Sequence, residues 1–452
     1  MPSLRGKITA TGAAAALALG VTVLAPPALA AAHGGRTDQG RAAADCFWFG
    51  PTPSLASREQ NYAYPDSGAT YWAAMFTLPV GATLTFDGEY AHARYQSLNS
   101  YDVTTHVPTD ALNDVSTAPD PGSRNPYLPG ALRAGGTHRS YTATVLGEQR
   151  PADPAARAAN TLYAGVPGQR DIALLYRVYL PDRGRDATGG TGLPRPSLHL
   201  ADGTTVTGRA ACDAVRAQHR ATLPLTSLAP DTYRALRDQP GKPAGFPADP
   251  SPVWHTFYNS ATTIACAFQG QCGGTPAKSG GQYSNRDNEY VSTEVSRAYG
   301  SVLVLHGKLP RTPATVGRQP FVATRTDLRY WSLCSNESVA TTAAVGCLDD
   351  EDLVTDRDGD YTVVLSLPQD RPRNATSANG VNWLSLSPRG DGAGHLDNSM
   401  LILRNMLPSA AFGHAVQDTR VPGDERAVMG PYLPTAAYTT TAAFEALGRH
   451  PR

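Results

Sequence analysis

Leu174-Leu175-Tyr176-Arg177-Val178-Tyr179-Leu180-Pro181 returns in the second half of the chain as Leu401-Ile402-Leu403-Arg404-Asn405-Met406-Leu407-Pro408. Both runs are short, bulky, and stopped by proline, and both carry one Arg at the same place, which reads as a strand rather than a helical turn. Working outward, three more blocks recur in the same order. Gly81-Ala82-Thr83-Leu84-Thr85-Phe86-Asp87-Gly88 lies beside Gly300-Ser301-Val302-Leu303-Val304-Leu305-His306-Gly307, and Arg94-Tyr95-Gln96-Ser97-Leu98 beside Arg329-Tyr330-Trp331-Ser332-Leu333. Tyr141-Thr142-Ala143-Thr144-Val145, with Arg150-Pro151 and Asn160 after it, matches Tyr361-Thr362-Val363-Val364-Leu365, with Arg371-Pro372 and Asn382-Trp383.

Four blocks in one order are the mark of an internal duplication. Each is rich in β-branched and aromatic residues and bounded by Gly, Pro, Asp or Asn, as strands are. The expectation is a mostly β chain made of two tandem β-sandwich or jelly-roll-like units, residues 31–209 and 253–417. Between them, residues 210–252 read as a linker whose start, Asp213 to Arg220, has helical composition. A C-terminal segment, residues 418–452, ends in a candidate helix from Thr439 to Leu447. The 43 Gly, 37 Pro and 20 Tyr of the 452 residues suit short strands and many turns.

Lys plus Arg number 39 and Asp plus Glu 39, so there is no basic excess to neutralise phosphates and nucleic acid is not an expected partner. Residues 1–30 have the parts of an export signal: Arg5 and Lys7, an apolar stretch from Ile8, and the small-residue site Ala28-Leu29-Ala30. No later stretch has the continuous apolar length of a spanning helix, so no transmembrane anchor is expected after cleavage. In a secreted chain the six Cys read as three disulfides. Cys266 and Cys272 flank a short Gly-containing loop, Cys334 and Cys347 can close another, and Cys46 and Cys212 pair by elimination. The cysteines lack the spacing of a metal site, so no metal is expected.

In Asn285-Arg286-Asp287-Asn288-Glu289-Tyr290, Arg329-Tyr330-Trp331-Ser332-Leu333-Cys334, Gly359-Asp360-Tyr361-Thr362, Val381-Asn382-Trp383-Leu384 and Leu401 to Pro408, the chain resembles uncharacterised exported proteins of high-GC bacteria. More distantly it resembles the domain-of-unknown-function families 1214 and 1254, the second half more than the first. The resemblance implies a β-sandwich or jelly roll and supplies no reaction.

Chemistry is hard to find in the pattern. There is no Gly-x-Ser-x-Gly elbow for a serine nucleophile, and the 11 His lack the helical spacing of a zinc hydrolase. Asp356-Arg357-Asp358-Gly359-Asp360 has its Gly in the wrong place for a calcium loop and reads as a turn into the next strand. A carboxylate pair for glycoside hydrolysis would come from Asp66, Asp87, Glu89, Asp287 or Glu289, but sequence spacing selects none.

The repeated arginines are more specific. Arg94, Arg329, Arg177 and Arg404 sit in strands otherwise suited to a core, where a guanidinium needs a carboxylate, a carbonyl or a ligand. One reading pairs each with an acid of its own unit. The other builds a polar pocket between the units from Arg94, Arg177, Arg329, Arg404, Asp287 and Asn288, with Tyr95, Tyr330, Trp331 and Trp383 as stacking faces. Such a pocket suits a saccharide. The leading expectation is therefore a secreted protein that binds carbohydrate or cell-envelope glycan without an organic cofactor. A secreted glycan hydrolase and a cell-surface structural protein are the alternatives.

Overall fold

The computed structural model describes residues 46–128, 131, 137–218, 223–224, 227–316 and 326–448. The export-signal reading of residues 1–30 therefore lies outside the described residues, as do the last two residues of the helical stretch ending at Arg220. All the described residues fall in one compact unit.

The chain is mostly β. In the first half the strands are β1 (Ala69–Thr77), β2 (Thr83–Glu89), β3 (Ala93–Tyr101), β4 (Pro108–Asn113), β5 (Ser140–Leu146), β6 (Thr161–Tyr163), β7 (Asp171–Pro181), β8 (Arg195–His199) and β9 (Thr205–Thr207). In the second they are β10 (His255–Thr256), β11 (Asn288–Ser296), β12 (Val302–Lys308), β13 (Tyr330–Asn336), β14 (Ala344–Asp349), β15 (Asp360–Ser366), β16 (Val381–Ser385), β17 (Asn398–Met406) and β18 (Thr435–Thr439). The eight quoted sequence blocks all fall on strands.

The two halves share one strand order. Sheet β1-β7-β3-β4 has its counterpart in β11-β17-β13-β14, to which β10 adds an edge. Sheet β6-β5-β2-β8, extended by β9, has its counterpart in β16-β15-β12-β18. The order extends to details: β5–β6 and β15–β16 are parallel pairs in otherwise antiparallel sheets, and the β3–β4 and β13–β14 hairpins are irregular at Ser100/Tyr101 and Ser335/Asn336. Asn160 Nδ2 donates to the Thr142 carbonyl at 3.0 Å, and Asn382 Nδ2 to the Thr362 carbonyl at 3.1 Å, so both Asn landmarks tie the same neighbouring strand.

Each half is a sandwich because alternate side chains of its two sheets meet. Trp72, Phe76, Leu174 and Tyr176 of one sheet pack on Leu84, Phe86, Val145 and Leu198 of the other. In the second half Trp331, Leu333, Leu401 and Leu403 pack on Leu303, Leu305, Tyr361 and Val363. Trp331, expected as a stacking face for ligand, is fully buried in this core with its ring centroid 5.5 Å from that of Tyr361. Strands β3, β13 and β17 are buried at every residue, so their second face is covered as well. The cover is the other half of the protein.

The helices are short: α1 (Gly208–Ala214), α2 (Pro230–Arg237), α3 (Ser260–Gln269), α4 (Glu425–Met429) and α5 (Thr441–Ala446). Helix α1 begins before the stretch read as helical, and α5 lies within the C-terminal helix expected. The C-terminal segment also contributes β18 to the second sandwich. Helix α3 has no counterpart in the sequence reading, since Thr262, Thr263 and Ile264 are β-branched and favour strands. Asn259 caps it by accepting the Thr262 N–H at 2.9 Å, and Gly270 ends it at φ 70°. Cys266–Cys272 staples that end, Cys334–Cys347 bridges β13 to β14, and Cys46–Cys212 ties the first described residue to α1. These are the three pairs expected.

Candidate functional site

The outer faces of β1-β7-β3 and β11-β17-β13 meet across the middle of the molecule, and their contacts are reciprocal, as in a twofold dimer. Arg94 Nη1 donates to Asp350 Oδ2 at 2.7 Å and Nη2 to Glu351 Oε1 at 2.7 Å. Its counterpart Arg329 donates Nη1 to Asp114 Oδ1 at 3.2 Å. Asp114 follows β4 as Asp350 follows β14, so each arginine takes the acid of the opposite half. The expectation that each pairs within its own unit is thus not what is found, because the acids at the hairpin ends point across the junction. Arg94 Nε also meets Thr315 Oγ1. Tyr330 Oη donates to Asp66 Oδ1 at 2.9 Å, and Tyr95 Oη to Asn285 Oδ1 at 3.2 Å and Asp287 Oδ2 at 2.6 Å.

Arg177 and Arg404 complete the set. Arg177 Nη2 donates to the Tyr283 carbonyl at 2.5 Å, and Arg404 Nη2 to the Tyr64 carbonyl at 2.7 Å. Tyr64 and Tyr283 precede β1 and β11, and both have left-handed backbones, φ 50° and 55°. That conformation is uncommon for a side chain of this size. It turns each carbonyl toward the arginine of the other half.

Between these two clasps lies a cavity of about 80 Å3. One water needs roughly 10–15 Å3 on this scale, so the space suits several waters or a small organic molecule. Its walls are Tyr71, Leu175, Arg177 and Tyr179 from the first half and Tyr290, Ile402 and Arg404 from the second, with Tyr64, Tyr283 and Asn285 from the leading segments. Ser260, Thr263 and Ile264 of α3 form its half-buried rim. No Asp or Glu lines it among the described residues.

The polar atoms at this site are unevenly satisfied. Arg177 Nε and Nη1, Asn285 Nδ2, Tyr64 Oη, Thr263 Oγ1 and Gln282 Oε1 are buried and have no hydrogen-bond partner among the described residues. The Arg177 Cζ lies 5.6 Å from the ring centroids of both Tyr71 and Tyr101, close enough for cation–π contact. Burial raises Tyr71 to about 12, with the Asp66 carboxylate adding to the effect and Arg404 and Arg177 opposing it. Burial and then Tyr179 raise Tyr290 to about 12. Both hydroxyls therefore stay protonated as neutral donors across the physiological range.

Of the residues read from the sequence, Arg177 and Arg404 line this cavity. Tyr95, Tyr330, Arg94, Arg329, Asp287 and Asn288 lie at the junction beside it and hold the halves together; Asn288 Nδ2, for example, donates to Tyr179 Oη at 3.4 Å. Trp383 is elsewhere, on β16, its ring 4.5 Å from Arg371 Cζ and its Nε1 bonded to Ser366 Oγ at 3.1 Å. Tyr64, Tyr71, Tyr283 and Asn285 were not singled out as site residues. The one available signal was positional: Tyr71 and Tyr290 stand directly opposite Arg177 and Arg404 in their sheets, a register that strand pairing alone reveals. Among the described residues, two groups combine a carboxylate or His with two Cys, Asp66 with Cys334 and Cys347, and His255 with Cys266 and Cys272, but in both the sulfurs are joined in disulfides.

No protein-family model matches the chain, and no curated protein does. Among solved structures it is similar to an uncharacterised protein from Burkholderia cenocepacia, at 14 % identity over 90 % of this chain and 85 % of that one, with a TM-score of 0.45. It is also similar to the VPA0106 protein from Vibrio parahaemolyticus, at 10 % identity over 83 % and 90 % of the two chains, with a TM-score of 0.40.

Proposed function

We propose that the chain is a secreted binding protein that holds a small ligand, of the saccharide class or similar in size, in the cavity between its two sandwiches. The carrying observation is a cavity whose described lining holds six buried, unpartnered polar atoms between tyrosine walls. Enclosed, mostly apolar space with a few converging polar groups is the usual form of a small-molecule site. A lining without carboxyl groups favours binding over glycan hydrolysis, which needs an acid and a base or nucleophile at the bond being cut. The leader-like residues 1–30, the three disulfides, and the lack of any described helix long and apolar enough to cross a membrane support export.

The test is thermal unfolding of the purified, oxidised protein against sugars, acidic sugars and small organic acids. A ligand confined to the folded state raises the midpoint in proportion to RT ln(1 + [L]/Kd). Ser292→Trp, which fills the cavity from β11, should abolish the rise while leaving a cooperative transition. A shift that survives Ser292→Trp, or no shift with any compound, rejects the cavity as the site; release of a cleaved product would favour the hydrolase instead.

A further inference from the structure

The two equivalent arginines are not equally neutralised. Arg404 Nη1 lies 3.7 Å from Asp66 Oδ2, and Asp66 is held there by Tyr330 Oη, by Ser332 Oγ at 2.7 Å and by the Gly68 N–H at 3.0 Å. The residue in the place of Asp66 in the second half is Asn285. The equivalence is visible in the bonds: the Asp66 N–H donates to Tyr71 Oη at 3.0 Å, and the Asn285 N–H to Tyr290 Oη at 3.0 Å. An amide carries no charge, so Arg177 lacks the carboxylate that its counterpart has.

Nothing nearby replaces it. Arg177 is 2 % exposed, donates Nη2 to a neutral carbonyl, and forms no ion pair among the described residues. The acid two residues after Asn285, Asp287, is turned to Tyr95 Oη at 2.6 Å and to Asn113 Nδ2 at 2.9 Å. The hydroxyl of Tyr101 donates to the Ser284 carbonyl at 3.0 Å and has only a neutral oxygen to offer Arg177, not a counter-charge. A guanidinium stays charged in proteins, and a buried charge without a counter-ion is costly.

We infer that the ligand of this cavity is a small organic acid whose carboxylate pairs with Arg177, filling the role that Asp66 plays for Arg404. This rests on the binding proposal above and adds the charge of the ligand. Arg177 Nε and Nη1 and Asn285 Nδ2 are donors that suit an anion, while the unpartnered Gln282 Oε1, Thr263 Oγ1 and Tyr64 Oη of the same lining are free to take hydroxyls of the ligand's body. The tyrosine rings beside them accept the flat or apolar face of the acid's body. Uronic acids and aromatic monocarboxylates share this chemistry.

The experiment is calorimetric and thermal-shift titration of the whole oxidised protein with glucuronate and benzoate, each beside its neutral counterpart, glucose and benzyl alcohol, and with inorganic phosphate. The acids are expected to bind at least tenfold more tightly than the neutral compounds, and whichever acid binds identifies the body of the ligand. Arg177→Met should remove this preference. The double variant Asn285→Asp/Asp287→Gly, which copies Asp66-Ser67-Gly68 of the first half, should supply an internal carboxylate, raise the urea midpoint and weaken acid binding at least tenfold. Equal binding of neutral and acidic compounds overturns the charge inference but keeps the cavity as a site, as does phosphate binding alone. A double variant that folds but has a lowered midpoint and unchanged acid affinity also overturns it. If no compound binds, this inference falls together with the reading it rests on.

Discussion

Arg177 donates to the carbonyl of Tyr283 at 2.5 Å across the middle of the molecule, and Arg404 returns the contact to Tyr64 at 2.7 Å. This exchange joins the last long strand of each half to the segment that leads into the first long strand of the other. It makes the junction isologous and sets the cavity between its two clasps.

The two clasps should differ in energy. Arg404→Met strands Asp66, which is 1 % exposed, without its cation and should cost about 3–5 kcal/mol in urea unfolding. Arg177→Met removes one hydrogen bond and an uncompensated charge, so its cost should stay below about 1.5 kcal/mol. Equal costs would mean that the halves are neutralised alike.

Arg94 is fully buried and binds two carboxylates of the opposite half. Arg94→Met should therefore destabilise by about 3–5 kcal/mol, because it removes the cationic partner of Asp350 and Glu351. Arg329, part exposed and ion-paired with Asp114, should cost less on the same change. Paired denaturant curves read the difference.

Stability should rise as pH falls from about 9 to 5. Burial first, and neighbouring carboxylates second, raise Asp349 to about 7 and Glu294 to about 8. Burial also raises Asp114 to about 6 against the pull of Arg329, and Glu289 to about 7 against that of Lys278. A carboxyl whose folded pKa exceeds its unfolded value of about 4 favours the fold most when protonated, and that contribution is lost as pH rises through 6 to 8. Below about pH 4 the trend should reverse. Asp327 and Glu351, although disfavoured by burial, are held below their usual range by hydrogen bonds from Arg311 and from the Thr315 and Val316 N–H groups. Glu294→Gln should flatten the alkaline arm of the profile, and an unchanged arm would show that this carboxyl is solvated.

The disulfides should rank by loop length. Cys46–Cys212 spans 166 residues and Cys266–Cys272 only 6. Replacing the first pair by Ala should cost about 5 kcal/mol and the second about 2 kcal/mol in the chain-entropy account. Thermal midpoints of the two double variants test the order.

Much of the fold was legible because strands advertise themselves locally. Alternating β-branched and aromatic residues between turn formers marked β2, β3, β5 and β7 and their counterparts, and the cysteine spacing marked the pairs. The first sandwich also takes β8 and β9, and the second β18, from stretches of weaker pattern. Helix α3 escaped because its β-branched residues point to a strand, and its cap and disulfide overrule them.

Sequence alone determined the class of the fold, its repeated order of strands, the disulfide pairs, and the fact that four arginines stand in core-like strands. Those properties are local, set by the period of burial and by the chemistry of turns. Only the tertiary structure decided which partner each arginine takes. Arg94 and Arg329 find acids of the opposite half, Arg404 finds Asp66, and Arg177 is left with the Tyr283 carbonyl and the cavity. A buried charge is governed by whatever lies within a few ångströms of it, and those neighbours come from distant parts of the chain that only the packing of the two halves brings together.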